Sequence, residues 1–182
     1  MIIGITGTNG AGKGTVVDYL LQKGFTHYSA RAFLIEEINK RGMPVDRSSM
    51  REVANDLRKT HTPSYVIEQL FIQAQADKAD AVIESVRTIG EAEFLKENGA
   101  ILLAIDADRS IRYKRTIARG SETDRVDFDT WVMQEEREWN NTDVHDMNVP
   151  AVMKMANTTI INNGTLDELS TQMDLLMKDI SK

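Results

Sequence analysis

The chain has 182 residues, a formal net charge of −6 and no cysteine. This is the length of one domain, and the missing thiols exclude disulfides, thiolate nucleophiles and cysteine-type zinc sites, as is typical of an intracellular protein. The acidic balance argues against a broad nucleic-acid-binding face, because such proteins usually carry a basic surface. The apolar run 1–5 is too short for a signal peptide, and no stretch approaches the length of a membrane span. We therefore expect a soluble, cytoplasmic protein.

Short β-rich runs alternate with longer helical stretches along the chain, which is typical of a mostly parallel sheet wrapped by helices. Strands are predicted at residues 2–6, 25–29, 81–84, 101–106 and 158–162. Helices are predicted at about 13–23, 31–41, 48–60, 64–79, 90–98, 109–119, 128–140 and 166–180, with loops at 42–44 and 140–148. The predicted fold is α/β with a five-stranded parallel sheet, and no repeat or second domain is indicated.

A glycine-rich loop follows the first predicted strand: residues 7–15 read G-T-N-G-A-G-K-G-T. Glycines let backbone N–H groups approach a polyphosphate without a Cβ in the way, and the helix that follows offers the positive end of its dipole. Lys13 supplies a mobile charge for the β- and γ-phosphates. The predicted nucleotide contacts are Asn9, Gly10, Ala11, Gly12, Lys13, Gly14 and Thr15.

The loop departs from the strict pattern G-x-x-x-x-G-K-[ST] at one position. Gly14 follows the lysine, and the hydroxyl that meets Mg²⁺ in the strict pattern comes one residue later, at Thr15. This ending resembles that of adenylate kinase and its nucleoside monophosphate kinase relatives. Thr15 is accordingly the metal ligand that we predict from the loop.

Two more candidate site residues lie at the end of the third predicted strand, where Glu84 is followed three residues later by Arg87. Ligands of open parallel sheets bind at the carboxyl ends of the strands. Glu84 is predicted to orient Mg²⁺ through water, and Arg87 to hold the phosphate of an acceptor in a bidentate clamp. The alternative is a capping carboxylate beside a surface arginine.

Arginines are informative because phosphoryl transfer needs positive charge around the moving group. Arg112, Arg115 and Arg119 fall on one face of the helix 109–119, and the polar stretch 120–125 follows. We expect this segment to close over the nucleotide, with Arg115 and Arg119 as catalytic groups. The alternative is a solvated basic stripe, and the charged run 135–138 is predicted to be a solvated helix face.

Three more candidate arginines, among others, lie in the first half of the chain. Arg51 and Arg58 share a polar flank of the helix 48–60, whose other side is apolar, and Arg31 follows the second strand. Two interpretations stay open for them: they bind the acceptor, or they are ordinary exposed residues. In the last helix, by contrast, Thr165 and Glu168 form a capping-box pattern, and methionines such as Met173 are predicted to fill the core.

Nearly the whole chain resembles the dephospho-CoA-kinase-related, adenylate-kinase-like family of P-loop proteins. Beyond the glycine-rich loop, the resemblance rests on residues 52–58, 86–94, 104–107, 112–115, 119–121 and 161–165. It implies the nucleoside monophosphate kinase fold of P-loop NTPases, as one domain over 1–182 with an acceptor-binding insert at about 30–79 and a lid at about 119–145. It also implies that Asn162, Asn163 and Gly164 lie against the adenine of ATP.

Two segments depart from the family pattern. Residues 27–34 resemble the H-I-S-T-G-D-M-L-R segment that helps adenylate kinase to bind AMP, but Arg31 and Ala32 replace its Gly-Asp pair. AMP specificity is therefore not carried over. Glu84 replaces the aspartate of the D-G-x-R turn, which keeps the charge and lengthens its reach.

The residues and the resemblance together favour an ATP- and Mg²⁺-dependent phosphotransferase. Its expected acceptor is a nucleoside or deoxynucleoside monophosphate, with dephospho-CoA as the alternative acceptor. A slow ATPase that acts as a regulatory or assembly factor is the alternative of another class. The expected partner is a small nucleotide-like molecule, with no membrane, nucleic acid or obligate protein partner.

Overall fold

The computed structural model describes residues 1–120, 126–137, 139, 141, 143 and 145–180. Its centre is a five-stranded sheet of parallel strands in the order β2-β3-β1-β4-β5. The strands are β1 (Ile2–Gly7), β2 (Thr26–Ser29), β3 (Ala81–Glu84), β4 (Ile101–Asp106) and β5 (Thr158–Ile161). The predicted α/β fold and all five predicted strands are confirmed, with ends that differ by no more than one residue.

Helices cover both faces of the sheet. Those in the described part of the chain are α1 (Lys13–Gln22), α2 (Ala30–Lys40), α3 (Arg47–Thr60), α4 (Tyr65–Asp77), α5 (Ile89–Glu97), α6 (Arg109–Arg119), α7 (Phe128–Glu136), α8 (Val149–Lys154) and α9 (Leu166–Ile180). Each predicted helix has its counterpart, although α7 ends before residue 140. Within the described residues no helix has the length and apolar character needed to cross a bilayer.

Helix α8 is the element that the sequence patterns miss. It has six residues, too few to develop a helical period in hydrophobicity. Its start signals are nevertheless present, because the Asn148 side chain accepts a hydrogen bond from the Ala151 amide and Pro150 lies in the first turn.

Successive residues of the central strands face different helices, as the two-residue period of a strand requires. Ile3 and Ile5 of β1 are buried in a cluster with residues of α1 and α9, including Met173. Ile83 and Leu102 belong to the cluster on the other face, built largely from α2 to α5. Met173 therefore fills the core as predicted, and the predicted Thr165–Glu168 capping bonds are also present.

The predicted acceptor-binding insert comprises α2, α3 and α4. Leu34, Val53 and Leu70, one from each helix, are buried in the same apolar cluster, so the three helices pack on one another and on the sheet. Their part in acceptor binding stays a prediction. Of the predicted lid, residues 121–125, 138, 140, 142 and 144 lie outside the described residues, so its closing segment also stays a prediction.

The sheet places three strand ends side by side. Strand β1 pairs with β3 on one side and with β4 on the other, so the chain crosses over in opposite directions from β1. In open parallel sheets, the crevice at such a switch point, beyond the carboxyl ends of the strands, is where ligands bind. Gly7, Glu84 and Asp106 end these three strands and therefore lie at this edge.

Candidate functional site

The glycine-rich loop connects β1 to α1 and is packed too tightly for larger residues at two positions. Gly10 and Gly12 have φ values of 78° and 99°, a region that L-residues with side chains rarely adopt. A Cβ on Gly12 would collide with the side-chain nitrogen of Asn162, and one on Gly10 would collide with the carbonyl oxygen of Arg112. The loop shape therefore depends on contacts with α6 and with the segment after β5.

Lys13 is the first residue of α1, and its side chain reaches back across the loop. Its Nζ donates to the carbonyl oxygens of Gly7 at 3.0 Å and Thr8 at 2.8 Å. This places an ammonium group at the N-terminus of a helix, where anions bind favourably. A Cβ on Gly14 would meet nothing within 4 Å, so this side of the loop is open.

The segment 162–164, which is predicted to lie against adenine, lies beside the glycine-rich loop 7–15, called the phosphate loop from here on. The Asn162 side chain is buried, and its Nδ2 donates to the carbonyl oxygen of Ala11 at 2.8 Å. Arg115 donates to the carbonyl oxygens of Asn162 at 2.8 Å and Gly164 at 3.3 Å, while Asn163 is exposed. The structure thus brings Arg115 to the predicted adenine loop, where its guanidinium braces the backbone.

The three α6 arginines that the sequence places on one face have different environments. Arg119 is exposed, and its Nη2 lies 3.5 Å from Oδ1 of Asn9 in the phosphate loop. Arg112 is buried, so the idea that the three form one solvated or phosphate-facing stripe is wrong for this residue. Its guanidinium donates to the carbonyl oxygens of Ala107 at 2.8 Å and Asn9 at 3.3 Å.

Glu135 of α7 is the partner that the sequence did not reveal for Arg112. The two side chains form a buried ion pair, and Trp131 lies against the guanidinium with its ring centre 5.2 Å away. The expectation that the run 135–138 is a solvated face is therefore wrong for Glu135. Through Arg112, this carboxylate connects α7 to the backbone of Asn9 and so helps to fix the phosphate loop.

The N-terminus of helix α7 is capped by a side chain. The Asp127 carboxylate accepts hydrogen bonds from the Thr130 amide at 2.8 Å and the Thr130 hydroxyl at 2.9 Å. The backbone bond, followed by the hydroxyl bond, lowers the pKa of the Asp127 carboxyl below its usual value. Because the folded-state pKa is lowered, this cap stabilises α7 above the usual aspartate pKa, and the stabilisation is lost as the pH falls through the lowered value.

Replacing Glu135 by glutamine is expected to destabilise the fold by about 3 kcal/mol, because the buried Arg112 guanidinium would lose its closest counter-charge and keep only the Asp106 carboxylate, 3.7 Å from its Nε. Urea unfolding followed by Trp fluorescence measures the change. Glu136→Gln is the matched control, since Glu136 is the exposed neighbour on the same helix. Equal unfolding free energies for the two variants would contradict a structural role for the Arg112–Glu135 pair.

The turn from Glu84 to Arg87 is tied to β1. The amide of Val86 donates to the carbonyl oxygen of Ile5 at 3.0 Å, and the Thr6 hydroxyl donates to the carbonyl oxygen of Val86 at 2.8 Å. Arg87 consequently lies beside the start of the phosphate loop. It lines a narrow pocket together with Gly7, Thr8, Asn9, Trp131, Glu135, Trp139 and Val149.

Glu84 fits the predicted magnesium role by its position. Val82, two residues earlier on β3, packs in the cluster with α1, so the Glu84 side chain belongs to the same face of the sheet. Thr15 lies in the first turn of α1, and the next residue, Val16, packs in the same cluster as Val82. Hydroxyl and carboxylate oxygens are the donors that Mg²⁺ prefers, together with retained waters, so this donor set suits the ion. No cluster of three or more metal-binding side chains occurs among the described residues.

Arg58 is not available to an acceptor. Its side chain is 4% exposed, and Nε and Nη2 donate to Oε1 of Glu91 at 3.0 and 2.7 Å. The other oxygen of Glu91 accepts from the amides of Arg87 at 2.7 Å and Thr88 at 3.1 Å. The Thr88-x-x-Glu91 capping-box pattern is the sequence signal that finds Glu91, but not its pairing with α3.

The other two predicted acceptor-binding arginines differ from each other. Arg51 is exposed on α3 and lines a second pocket of about 280 Å³. Arg31 lies exposed in the first turn of α2 and lines neither of these two pockets. Acceptor binding by Arg31 stays a prediction without a described neighbour in the site.

Comparison with known proteins identifies the family. Residues 3–148 match the family model described as an AAA domain, which is most of the chain. The chain belongs to this family. This AAA domain is also similar to a UPF0200 protein of Methanococcus vannielii, 26% identical over 98% of this chain and 96% of the relative.

Solved structures support the P-loop kinase fold of this AAA domain. Shikimate kinase from Acinetobacter baumannii aligns with a TM-score of 0.62 at 18% identity, over 98% of this chain and 93% of that one. Shikimate kinase from Bacteroides thetaiotaomicron aligns with a TM-score of 0.60 at 13% identity, over 98% of each chain. At such identities the likeness establishes the fold.

Proposed function

We propose that this AAA domain is an ATP-dependent phosphotransferase that moves the γ-phosphoryl group to a nucleoside or deoxynucleoside monophosphate. The observation that carries the proposal is the narrow pocket shared by Gly7, Thr8 and Asn9 of the phosphate loop and by Arg87. A loop built to hold the phosphates of a donor and an arginine suited to an acceptor phosphate thus line one cavity. The P-loop kinase fold supports the same function.

On the donor side, the loop amides and Lys13 hold the β- and γ-phosphates. Lys13 exchanges its bonds to the Gly7 and Thr8 carbonyls for phosphate oxygens and carries its charge with them. The Thr15 hydroxyl, and Glu84 through water, would hold Mg²⁺, which would supply positive charge to the phosphates. Arg119 approaches the same loop at Asn9, so it can add charge where the γ-phosphoryl group moves.

On the acceptor side, Arg87 grips the acceptor phosphate by two parallel N–H bonds. An oxygen of that phosphate attacks the γ-phosphorus while the bond to the β–γ bridging oxygen breaks, and ADP leaves without a covalent enzyme intermediate. The wall of Trp131, Trp139 and Val149 excludes water from the reacting groups. Arg115 supports the reaction indirectly, because it holds the backbone of Asn162 and Gly164 in place.

The segment that corresponds to the AMP segment of adenylate kinase departs from its pattern. Arg31 and Ala32 replace the Gly-Asp pair of the AMP segment, which favours testing acceptors beyond AMP. Dephospho-CoA stays a candidate from the family resemblance. Shikimate is a further acceptor to test, because the shikimate kinases compared above share the fold. A slow ATPase with a regulatory or assembly function remains the alternative of another class.

A panel assay tests the proposal. ADP release is followed with ATP and Mg²⁺, alone and with each nucleoside monophosphate, its deoxy form, dephospho-CoA or shikimate. We expect one class of monophosphate to raise the rate at least tenfold, because a bound acceptor completes the site and replaces water. A rate that no acceptor changes would contradict the kinase and favour the ATPase.

A further inference from the structure

The second pocket is a polar cavity between α3, in the predicted acceptor-binding insert, and residues that precede α8. Its volume is about 280 Å³, close to the lower limit of about 300 Å³ for small-molecule sites. One wall consists of Arg51, Asn55 and Lys59, which are spaced by four residues along α3 and so share one face of the helix. The opposite wall comprises Arg137, Asn141, Asp146 and Met147.

The charges of this pocket favour an anion. Arg51, Lys59 and Arg137 bring three positive charges against the single carboxylate of Asp146. That carboxylate already accepts a hydrogen bond from the Asn55 side chain. Among the residues that the structure describes, no hydrogen bond or ion pair engages the side-chain nitrogens of the three cations, so their donors remain for a ligand.

One further carboxylate lies near the rim. Asp143 does not line the pocket, and its carboxylate accepts hydrogen bonds from the His145 amide at 2.9 Å and pairs with the His145 ring at 2.8 Å. The hydrogen bonds from His145, and to a smaller extent the charge of Lys59, lower the pKa of Asp143. It is therefore ionised at neutral pH and reduces the local charge, but the cavity itself keeps its excess of cations.

The α3 wall of the second pocket is held in place by the buried Arg58–Glu91 ion pair. Oδ1 of Asn55 accepts from Nη1 of Arg58 at 3.4 Å, and Arg58 is bound to Glu91. Glu91 also accepts from the backbone amide of Arg87. One buried carboxylate thus positions both the second pocket and the arginine of the first pocket, so the distance between the two is built into the fold.

The two pockets meet at Arg87 and Met147. Nη1 of Arg87 lies 3.9 Å from Sδ of Met147; Arg87 lines the first pocket and Met147 the second. A ligand that spans this contact would place one end beside the phosphate loop and the other among Arg51, Lys59 and Arg137. The second end would be anionic.

We propose that the second pocket binds a phosphate group of the acceptor that is remote from its reacting oxygen. This inference rests on the proposed phosphotransfer and restricts its acceptor. A nucleoside monophosphate has one phosphate, which receives the γ-phosphoryl group and would leave this pocket empty, so the acceptor is a nucleotide-like molecule with at least one further phosphate that orients it without receiving the γ-phosphoryl group. Arg51 and Arg137 suit the oxygens of a phosphate because their guanidinium groups donate two parallel N–H bonds. Lys59 adds a point charge, and Asn55 adds an oriented amide.

Inorganic phosphate is the probe for the test. The full chain is titrated at constant ionic strength while backbone amide NMR shifts report the two sites separately, at Gly10 and Gly12 for the loop and at Asn55 and Lys59 for the second pocket. We expect two independent phosphate sites. Arg51→Gln, Lys59→Gln and Arg137→Gln should each weaken the second site about tenfold and leave the loop site unchanged, because each removes one charged donor.

Two controls keep the interpretations separate. Lys178→Gln removes an exposed lysine of α9 and should change neither site. Lys13→Ala should weaken phosphate binding at the loop site alone. An unchanged affinity at the loop site would contradict the proposed donor site. It would not bear on the second site, which is tested by its own three variants. A second-site affinity that stays within twofold in all three variants would overturn the inference. So would acetate binding there as tightly as phosphate, because the site would then not select a phosphate.

Discussion

Replacing Lys13 by alanine is expected to lower kcat/KM for phosphoryl transfer by at least about 10³-fold, the largest effect that we predict. The Lys13 side chain reaches back across the loop, where its Nζ donates to the carbonyl oxygens of Gly7 and Thr8. It acts on charge that develops on the phosphates as the bond to ADP breaks, and such groups contribute chiefly to the transition state. Steady-state ADP release with the best acceptor of the panel measures the change.

The matched control is Lys23→Ala, at the C-terminal end of the same helix. Lys23 pairs with Asp174 at 3.1 Å on the surface, and such pairs contribute little to stability. This variant should keep kcat/KM within about twofold, while circular dichroism should give both variants the same helix content. Transfer by Lys13→Ala at a rate near that of the unmodified protein would exclude the proposed donor site.

The second large effect concerns stability. Glu91→Gln is expected to lower the free energy of unfolding by about 4 kcal/mol, because the buried Arg58 guanidinium would lose its counter-charge. The substitution also weakens the acceptance of hydrogen bonds from the Arg87 and Thr88 amides. Both carboxyl and guanidinium are almost completely buried, so water cannot replace the lost interaction.

Glu93→Gln is the control for this prediction, because Glu93 is exposed on the same helix. It should change the free energy of unfolding by less than about 0.5 kcal/mol. The Glu91 variant should also disturb catalysis at temperatures where it is folded, since the turn that carries Arg87 loses an anchor. An unfolding midpoint shared by the two variants would show that the Arg58–Glu91 pair contributes nothing to the fold.

The donor side could be predicted from the sequence because its signals are local. The glycines, Lys13 and the strand before them follow one another along the chain, and backbone sterics alone demand glycine at Gly10 and Gly12. Arg87 could be placed for a similar reason, since the end of a buried strand marks the ligand edge of a parallel sheet.

Arginine roles could not be predicted so well, because burial depends on partners that are distant in sequence. Arg58 and Glu91 are separated by 33 residues, and Arg112 and Glu135 by 23. On a helix, an arginine beside an apolar stripe looks the same whether it meets solvent, a phosphate or a buried carboxylate. The second pocket escaped prediction for the same reason, since one wall comes from α3 and the other from Arg137, Asn141, Asp146 and Met147.

The central claim is that the γ-phosphoryl group goes to an acceptor and not to water. ATP labelled with ³²P in the γ-position, incubated with the protein and the best acceptor of the panel, tests it most directly when the products are separated. We expect the label in a phosphorylated acceptor, in an amount equal to the ADP formed, and almost none with Lys13→Ala. Label that appears only as inorganic phosphate, at a rate independent of acceptor, would contradict the account.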